Sequence, residues 1–299
     1  MSLVIIGSIA FDTIQTPRGR RERIVGGSCT YCSLAASFFT APKIVGVVGE
    51  DFPRDVIEFF KSRNIDTAGL EVKKGKTFHW EGHYGYDPNQ RETITTELNV
   101  FEDFRPRLPE SYRAADIVFL ANIDPDLQDG ILSQLSQPGL VALDTINYWI
   151  ANKPASLWTA LKKVNIFFAN EEELKMLTQE TNLIKAGKKL LQAGPKLIVV
   201  KKGEHGALVF GRSFVFGMLA LPCEDVVDPT GAGDSFAGGF LGYLDKSKSL
   251  ARKDVRKAGI FGSVLASFAI EDFGYERFKT LAHQDIEARF REFKKLVSF

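Results

Sequence analysis

Short apolar runs alternate with helix-length segments through most of this chain, and that rhythm constrains the fold more than any other feature. Leu3–Gly7 reads as a buried strand, Ser28–Phe39 as a helix, Lys43–Val48 as a strand and Pro53–Arg63 as a helix. The same β-α-β-α order returns over Asp116–Ala121, Asp126–Leu135, Leu140–Asp144, Pro154–Leu161, Val164–Ala169 and Glu171–Leu177. Alternation of this kind implies a parallel sheet with helices on both faces. After Lys196–Val200 the pattern predicts a hairpin through Ala207–Phe210 and Ser213–Phe216, then helices from Ala232 onward. The expected fold class is therefore α/β, a three-layer sandwich around a central, mostly parallel sheet.

Two stretches break the rhythm. Thr13–Val25 and Glu71–Glu97 lack helical periodicity and are rich in strand formers. In the second, Phe78, Trp80, Tyr84 and Tyr86 alternate with His79, Glu81 and His83, the period of a strand with one aromatic and one polar face. These stretches read as a small β-lid over the sheet's C-terminal edge. The expectation is one domain over residues 1–299, with lid segments at about 13–25 and 71–97. Two sharper readings attach to the lid. His79, Glu81 and His83 could chelate a metal, although no fourth ligand is evident. Arg18, Arg20, Arg21 and Arg23 could clamp a phosphate on the substrate, or simply face water.

Composition removes several function classes. The 299 residues carry 38 Lys and Arg against 37 Asp and Glu, a net charge of +1. That balance gives no electrostatic case for binding nucleic acid or an anionic membrane. The apolar run Leu3–Ile6 is too short for a signal peptide or a span, and no later run reaches spanning length, so a cytoplasmic location is expected. Of the three cysteines, Cys29-x-x-Cys32 lies in a helix-like run and reads as small packing residues, not a redox or zinc pair; such usage fits a reducing compartment.

The chemistry concentrates at Asp228-Pro-Thr-Gly-Ala-Gly-Asp234, followed by Ser235 and Phe236. A helix opening at Gly231, Ala232 and Gly233 leaves backbone N–H groups bare and convergent, a site that attracts an anion. Asp234 beside such a site would repel a phosphate unless it takes the proton of a hydroxyl attacking phosphorus. The blander reading is a glycine-rich turn with an N-terminal helix charge. Asn170 and Glu173, between a strand and a helix, suit Mg²⁺ directly or through water, and equally suit a capping box. Asp12 sits just past the first strand, where ligands bind in open parallel sheets, or is a turn residue.

The segment Asp228–Phe236 resembles the C-terminal motif of the ribokinase-like sugar kinases of the PfkB family, usually seen as D-T-x-G-A-G-D. Other pieces follow in the family's order: Gly7-Ser8-Ile9-Ala10-Phe11-Asp12, Gly26-Gly27-Ser28, Asn170-Glu171-Glu172-Glu173, and Lys202-Gly203-Glu204-His205-Gly206. The resemblance runs from Leu3 to about Gly274. It implies a ribokinase-like fold with a β-lid and an ATP-dependent kinase with Mg²⁺. Asp234 would be the base, and Gly231, Ala232 and Gly233 the anion hole. Asp12, Gly26, Gly27, Ser28 and Tyr31 would meet the substrate, with Tyr31 standing where an Asn is frequent. Asn99, after the lid, and Asn147, after a strand, are further substrate candidates, with loop or cap roles equally open. Lys202, Gly203, Gly206 and Thr230, with Asn170 and Glu173, would border the nucleotide's phosphates and ribose. The adenine would lie between that turn and a helix containing Gly262, Ser263 and Ala266. Asp228 would border a K⁺ site. A simple sugar with a primary hydroxyl is the leading substrate reading. A nucleoside is the alternative, with Phe11, Tyr31, Phe78, Trp80 and Phe101 as aromatic platforms. A silent sensor would tolerate loss of these groups. A dinucleotide enzyme would need G-x-G-x-x-G after the first strand, which is not there. The lid's edge is a candidate surface for a homodimer.

Overall fold

A computed structural model describes residues 2–136 and 138–298. Its first strand, β1 (Leu3–Ile6), is wholly buried because it lies inside a nine-stranded sheet. Leu3 and Ile5 join the core on one face of that sheet, and Val4 and Ile6 the core on the other. This is the period-two alternation of a strand covered on both sides. In chain order β2 (Ala10–Thr16), β3 (Gly19–Gly26), α1 (Ser28–Ala36), β4 (Lys43–Gly49), α2 (Arg54–Ser62) and β5 (Asp66–Lys73) follow. Then come β6 (His79–Tyr84), β7 (Arg91–Glu97), β8 (Ile117–Leu120), α3 (Pro125–Leu132), β9 (Leu140–Leu143), α4 (Asn147–Asn152) and α5 (Pro154–Leu161). The next elements are β10 (Ile166–Asn170), α6 (Glu171–Thr178), α7 (Leu183–Ala193), β11 (Leu197–Lys201), β12 (Ala207–Gly211) and β13 (Phe214–Met218). Four helices follow: α8 (Ala232–Ser247), α9 (Arg252–Ala269), α10 (Glu276–Thr280) and α11 (His283–Val297).

The large sheet has the order β13-β12-β11-β10-β9-β8-β1-β4-β5. It is parallel from β5 to β11, with the β12–β13 hairpin added antiparallel at one edge. Helices α1, α2, α8, α9 and α11 contribute to the core on one face, and α3 to α7 to the core on the other. The architecture is the ribokinase-like three-layer sandwich that the sequence predicts. Helices α8 and α9 cross closely: a Cβ on Gly262 would lie 2.8 Å from the Phe236 carbonyl oxygen, and one on Gly239 2.9 Å from that of Phe261.

The lid is a separate four-stranded sheet in the order β3-β2-β6-β7. Its limits differ from the sequence expectation at two places. Strand β2 already begins at Ala10, and residues 71–73 end β5, paired with Val47–Gly49 in the large sheet. Strand β5 lies at the edge of that sheet and is mostly half-exposed, so it lacks the apolar run of a central strand.

Candidate active site

Helix α8 opens from Gly231, whose φ of 76° is left-handed and whose Cβ would fall 2.3 Å from Tyr31 Cγ. Only glycine fits that turn. The Ala232 N–H turns back to the Pro229 carbonyl at 3.3 Å. The N–H groups of Gly231, Gly233 and Asp234 have no protein acceptor among the described residues. The N–H groups left free at this turn are thus those of Gly231, Gly233 and Asp234, with that of Ala232 partly spent. Burial, followed by the charge of Asp144, pushes the Asp234 carboxyl up to about 7; Lys201 and Arg91 pull it back. A carboxylate poised near neutrality suits proton transfer.

Three strands feed this point from the opposite side. Ala142 of β9, Ile166 and Phe168 of β10, and Leu197 and Val199 of β11 face the core on the α8 side. Continuing each row by two puts Asp144, Asn170 and Lys201 on that same face at the strands' C-terminal ends. Lys201 Nζ donates to Asp144 Oδ2 at 2.7 Å, with side-chain exposures of 18% and 4%. Asp144 Oδ1 accepts from the Thr145 N–H at 2.9 Å. Asn170 and Glu173 close a capping box: Asn170 N–H donates to Glu173 Oε2 at 2.7 Å, and Glu173 N–H to Asn170 Oδ1 at 2.8 Å. Burial raises the Glu173 carboxyl to about 7, with Lys201 opposing and Asp144 adding to the rise.

This donor set fits a magnesium ion held largely by water and phosphate. Glu173 Oε1 is left over from the capping box, and the excess of buried carboxylate around Lys201 calls for positive charge. No three Asp, Glu, His or Cys side chains converge as a ready metal cage among the described residues. Mg²⁺ keeps several waters and needs no such cage.

On the other side of α8, Asp12 is 4% exposed, and burial followed by the charge of Asp228 raises its carboxyl to about 8. The Gly27 N–H donates to it. A Cβ on Gly26 would sit 1.9 Å from Asp12 Oδ2, so glycine makes the room this carboxylate occupies. Gly27, at φ 92°, brings the chain within contact of the Ser8 carbonyl. Tyr31 lies under Gly231, and its buried hydroxyl has no partner among the described residues.

Several expected contacts are turned elsewhere. Ser28 is tied to Ser8: Ser28 N–H donates to Ser8 Oγ at 3.1 Å and Ser8 N–H to Ser28 Oγ at 3.2 Å, which braces the loop after β1. Asn99 Nδ2 donates to the Thr77 carbonyl at 3.0 Å and secures the base of the lid. Asp228 accepts from the Thr230 and Gly274 N–H groups at 2.9 and 3.0 Å, clamping two loops together. Asn147 begins α4, its Oδ1 buried without a partner among the described residues.

The lid's inner face carries Asp12, Trp80, Gly82, Tyr84 and Arg91, which pair across adjacent strands. Trp80 lies flat on the strand because Gly82 has no side chain; a Cβ there would meet the indole Cη2 at 1.9 Å. The Arg91 guanidinium stacks over the indole, 5.2 Å from its centroid. Tyr84 Oη meets Thr230 Oγ1 at 3.1 Å, so Thr230 latches the lid to the glycine turn. The outer face disposes of the metal reading. His79 bonds Thr13 at 2.9 Å, Glu81 pairs with Arg20 at 3.0 Å, and His83 faces Glu92 at 3.9 Å. The arginine clamp fails similarly: Arg18 pairs with Asp225, Arg23 with Asp51, and Arg21 covers Phe273. Of the proposed platforms, Phe11 packs between Arg23 and Phe52, and Phe78 stacks on Phe101.

Beyond β11, Lys202 lies 3.8 Å from Glu171, and Gly203 and Gly206 take φ values of 55° and 85°. A Cβ on Gly203 would meet Asn89 Oδ1 at 1.9 Å, so the lid tip reaches this turn. Beside it opens a mostly apolar cleft of about 330 Å³ lined by Lys202, His205, Met218, Leu219 and Ile260 among others. Ser263 donates to the Leu219 carbonyl at 3.3 Å at its margin. Gly262 faces α8 instead, for the reason given above.

Sequence reasoning passed over Lys201, Asp144, Tyr84 and Arg91. A signal existed for Lys201: a lysine ending the apolar run Leu197–Val200, where ligands of parallel sheets bind.

The model for the pfkB family carbohydrate kinases matches residues 2–279. A cytidine kinase from Thermococcus kodakarensis is 32% identical over 256 residues, covering 84% of this chain and 91% of that protein. Two solved structures share the fold. A nucleoside kinase of Burkholderia thailandensis in complex with inosine has a TM-score of 0.78 at 20% identity, covering 97% of this chain and 96% of that one. A fructokinase of Vibrio cholerae O395 in fructose-, ADP- and calcium-bound form has a TM-score of 0.79 at 17% identity, covering 98% of each. No helix among the described residues is long and apolar enough to cross a membrane.

Proposed function

The chain belongs to the pfkB family of carbohydrate kinases, and on that premise we propose that it transfers the γ-phosphoryl group of ATP to the primary hydroxyl of a nucleoside. The observation that carries the nucleoside over a free sugar is Trp80. Its indole lies flat on Gly82, beside the Asp12 carboxylate on the lid's inner face, and carries the Arg91 guanidinium on top, so that a base would stack on this Trp80–Arg91 layer. A nucleoside needs both parts at once: a flat surface for its base and a carboxylate for its ribose hydroxyls. The kinship to a cytidine kinase supports the same choice.

In the reaction, Asp12 accepts hydrogen bonds from the ribose and fixes its orientation. Asp234 takes the proton of the attacking hydroxyl. The N–H groups of Gly231, Gly233 and Asp234 hold the transferred phosphoryl, each worth about 3 kcal/mol of transition-state stabilisation. Glu173 would hold Mg²⁺ through water, and the ion would supply charge neutralisation of the phosphates. The lid, latched by Tyr84 to Thr230, excludes water from the transfer. The cleft at Met218, Leu219 and Ile260 would take the adenine.

The test is ADP release from Mg-ATP against nucleosides, free sugars and sugar phosphates, with wild type and Trp80→Ala. Nucleosides should exceed ribose in kcat/KM by at least tenfold. Trp80→Ala should erase most of that margin, since a base stacked on an aromatic ring is worth about 1–3 kcal/mol. Equal use of ribose and nucleosides by the wild type would refute the nucleoside reading.

A further inference from the structure

We propose that Lys201 is a catalytic residue whose ammonium contacts the phosphoryl group in transit between donor and acceptor. The inference rests on the kinase reading above and assigns a part for which that reading has no group. The ammonium lies at the glycine turn: a Cβ on Gly233 would be 3.2 Å from Lys201 Nζ. It therefore stands beside the free N–H of Gly233 and within the field of Asp234.

A lysine in that place needs an explanation. An ammonium next to a helix N-terminus is repelled by the helix dipole unless an anion comes between them. Burying a charged pair also contributes little to stability, and apolar residues of the same volume usually do as well. Geometry supplies the reason. An ammonium has three donors, and the one hydrogen bond of Lys201 among the described residues goes to Asp144 Oδ2, at 2.7 Å. Asp144 is itself fixed by the Thr145 N–H. The pair thus aims the ammonium at the turn and leaves donors over for phosphate oxygens. Among the described residues, the cations acting on Asp234 are Lys201 and Arg91, and Arg91 arrives from the lid, stacked on Trp80. Lys201 is the cation built into the sheet itself. Because β11 carries it, it stays beside the glycine turn whatever the lid does.

The experiment compares Lys201→Met, Lys201→Arg and the charge-neutral double variant Lys201→Met/Asp144→Asn with the wild type, at saturating Mg-ATP and the best nucleoside. Lys201→Met is expected to lower kcat about 10²–10³-fold, the loss typical of one donor to a developing anion, with the nucleoside KM held within threefold. Lys201→Arg should recover at least tenfold of that loss. The double variant should stay as slow as Lys201→Met while melting at the wild-type temperature. A lysine that merely balances Asp144 gives the opposite pattern: the double variant regains kcat to within fivefold of wild type, which overturns the proposal. Lys201→Met retaining kcat within fivefold overturns it too. Should Lys201→Met fail to fold, the rate of the double variant decides between the two roles. A wild type that transfers no phosphoryl group from ATP to any nucleoside or sugar refutes the kinase reading, and this proposal with it.

Discussion

Asp12 should make the substrate-free protein less stable, and Asp12→Asn should relieve that cost. Its carboxyl is raised from 3.8 to about 8, by burial first and then by the nearby Asp228 carboxylate. The folded protein therefore binds a proton that the unfolded chain releases, and stability falls as the pH rises from about 4 to about 8. Near pH 7 the native state must hold Asp12 protonated against a free value of 3.8, a penalty of about 4 kcal/mol. Asparagine keeps the shape, accepts the Gly27 N–H and carries no charge to desolvate. For a chain of this size the gain corresponds to a rise of roughly 5–10 °C in Tm at pH 7. The difference should shrink toward pH 4 and vanish below it, where the aspartate is protonated in both states. The assay is thermal unfolding of both proteins from pH 4 to 9 without ligand, alongside the nucleoside KM, which should rise sharply in the variant. An unchanged or lower Tm at pH 7, or a difference independent of pH, would refute the reasoning. A gain in stability with a loss of binding is what a site built against its own stability predicts.

Three further outcomes follow from the same geometry. Gly26→Ala places a methyl group in the volume of the Asp12 carboxylate, so nucleoside kcat/KM should fall at least 100-fold while ADP affinity, measured by calorimetry, stays put. At saturating substrates kcat should rise about tenfold per pH unit below about 7 and level off above it, because Asp234 must lose its proton before it can accept one; a flat profile from pH 5 to 8 at a rate limited by chemistry removes Asp234 as base. Tyr84→Phe breaks the latch to Thr230, a bond worth about 1 kcal/mol, so cleavage of the lid in limited proteolysis should quicken about fivefold.

Much of the scaffold is legible in the sequence because buried parallel strands leave a strong signal. The elements read from alternation, such as Pro154–Leu161 and the hairpin after Lys201, agree with the structure within a few residues. The six-residue helix α4 is too short to show a period, and two longer elements escape for other physical reasons. Strand β5 is an edge strand, and Gly69 interrupts its pattern because a Cβ there would meet the Ile44 carbonyl oxygen at 2.5 Å. Helix α7 carries Gly187 in its interior, which weakens the helical signal, yet a Cβ there would strike the Phe210 ring at 2.8 Å. The site divides in the same way. The glycine turn and Asp234 are contiguous, so a motif reveals them. Lys201 and Asp144 acquire meaning only when β9 and β11 stand side by side opposite α8, and no local pattern encodes that. Ser28 and Asn99 show the reverse: they lie near the site in sequence, but Ser28 is paired with Ser8 and the Asn99 amide nitrogen is given to the Thr77 carbonyl, which no local pattern predicts.

The most direct test of the central claim is a rapid-quench measurement of phosphoryl transfer from Mg-ATP to a nucleoside, with the product ester located by phosphorus NMR. The wild type should form ADP and a 5′-phosphate in equal amounts. Asp234→Asn should slow this transfer by about 10²–10⁴-fold with nucleotide binding retained. Full-rate transfer by Asp234→Asn, or ADP formed without an ester on the primary hydroxyl, would contradict it.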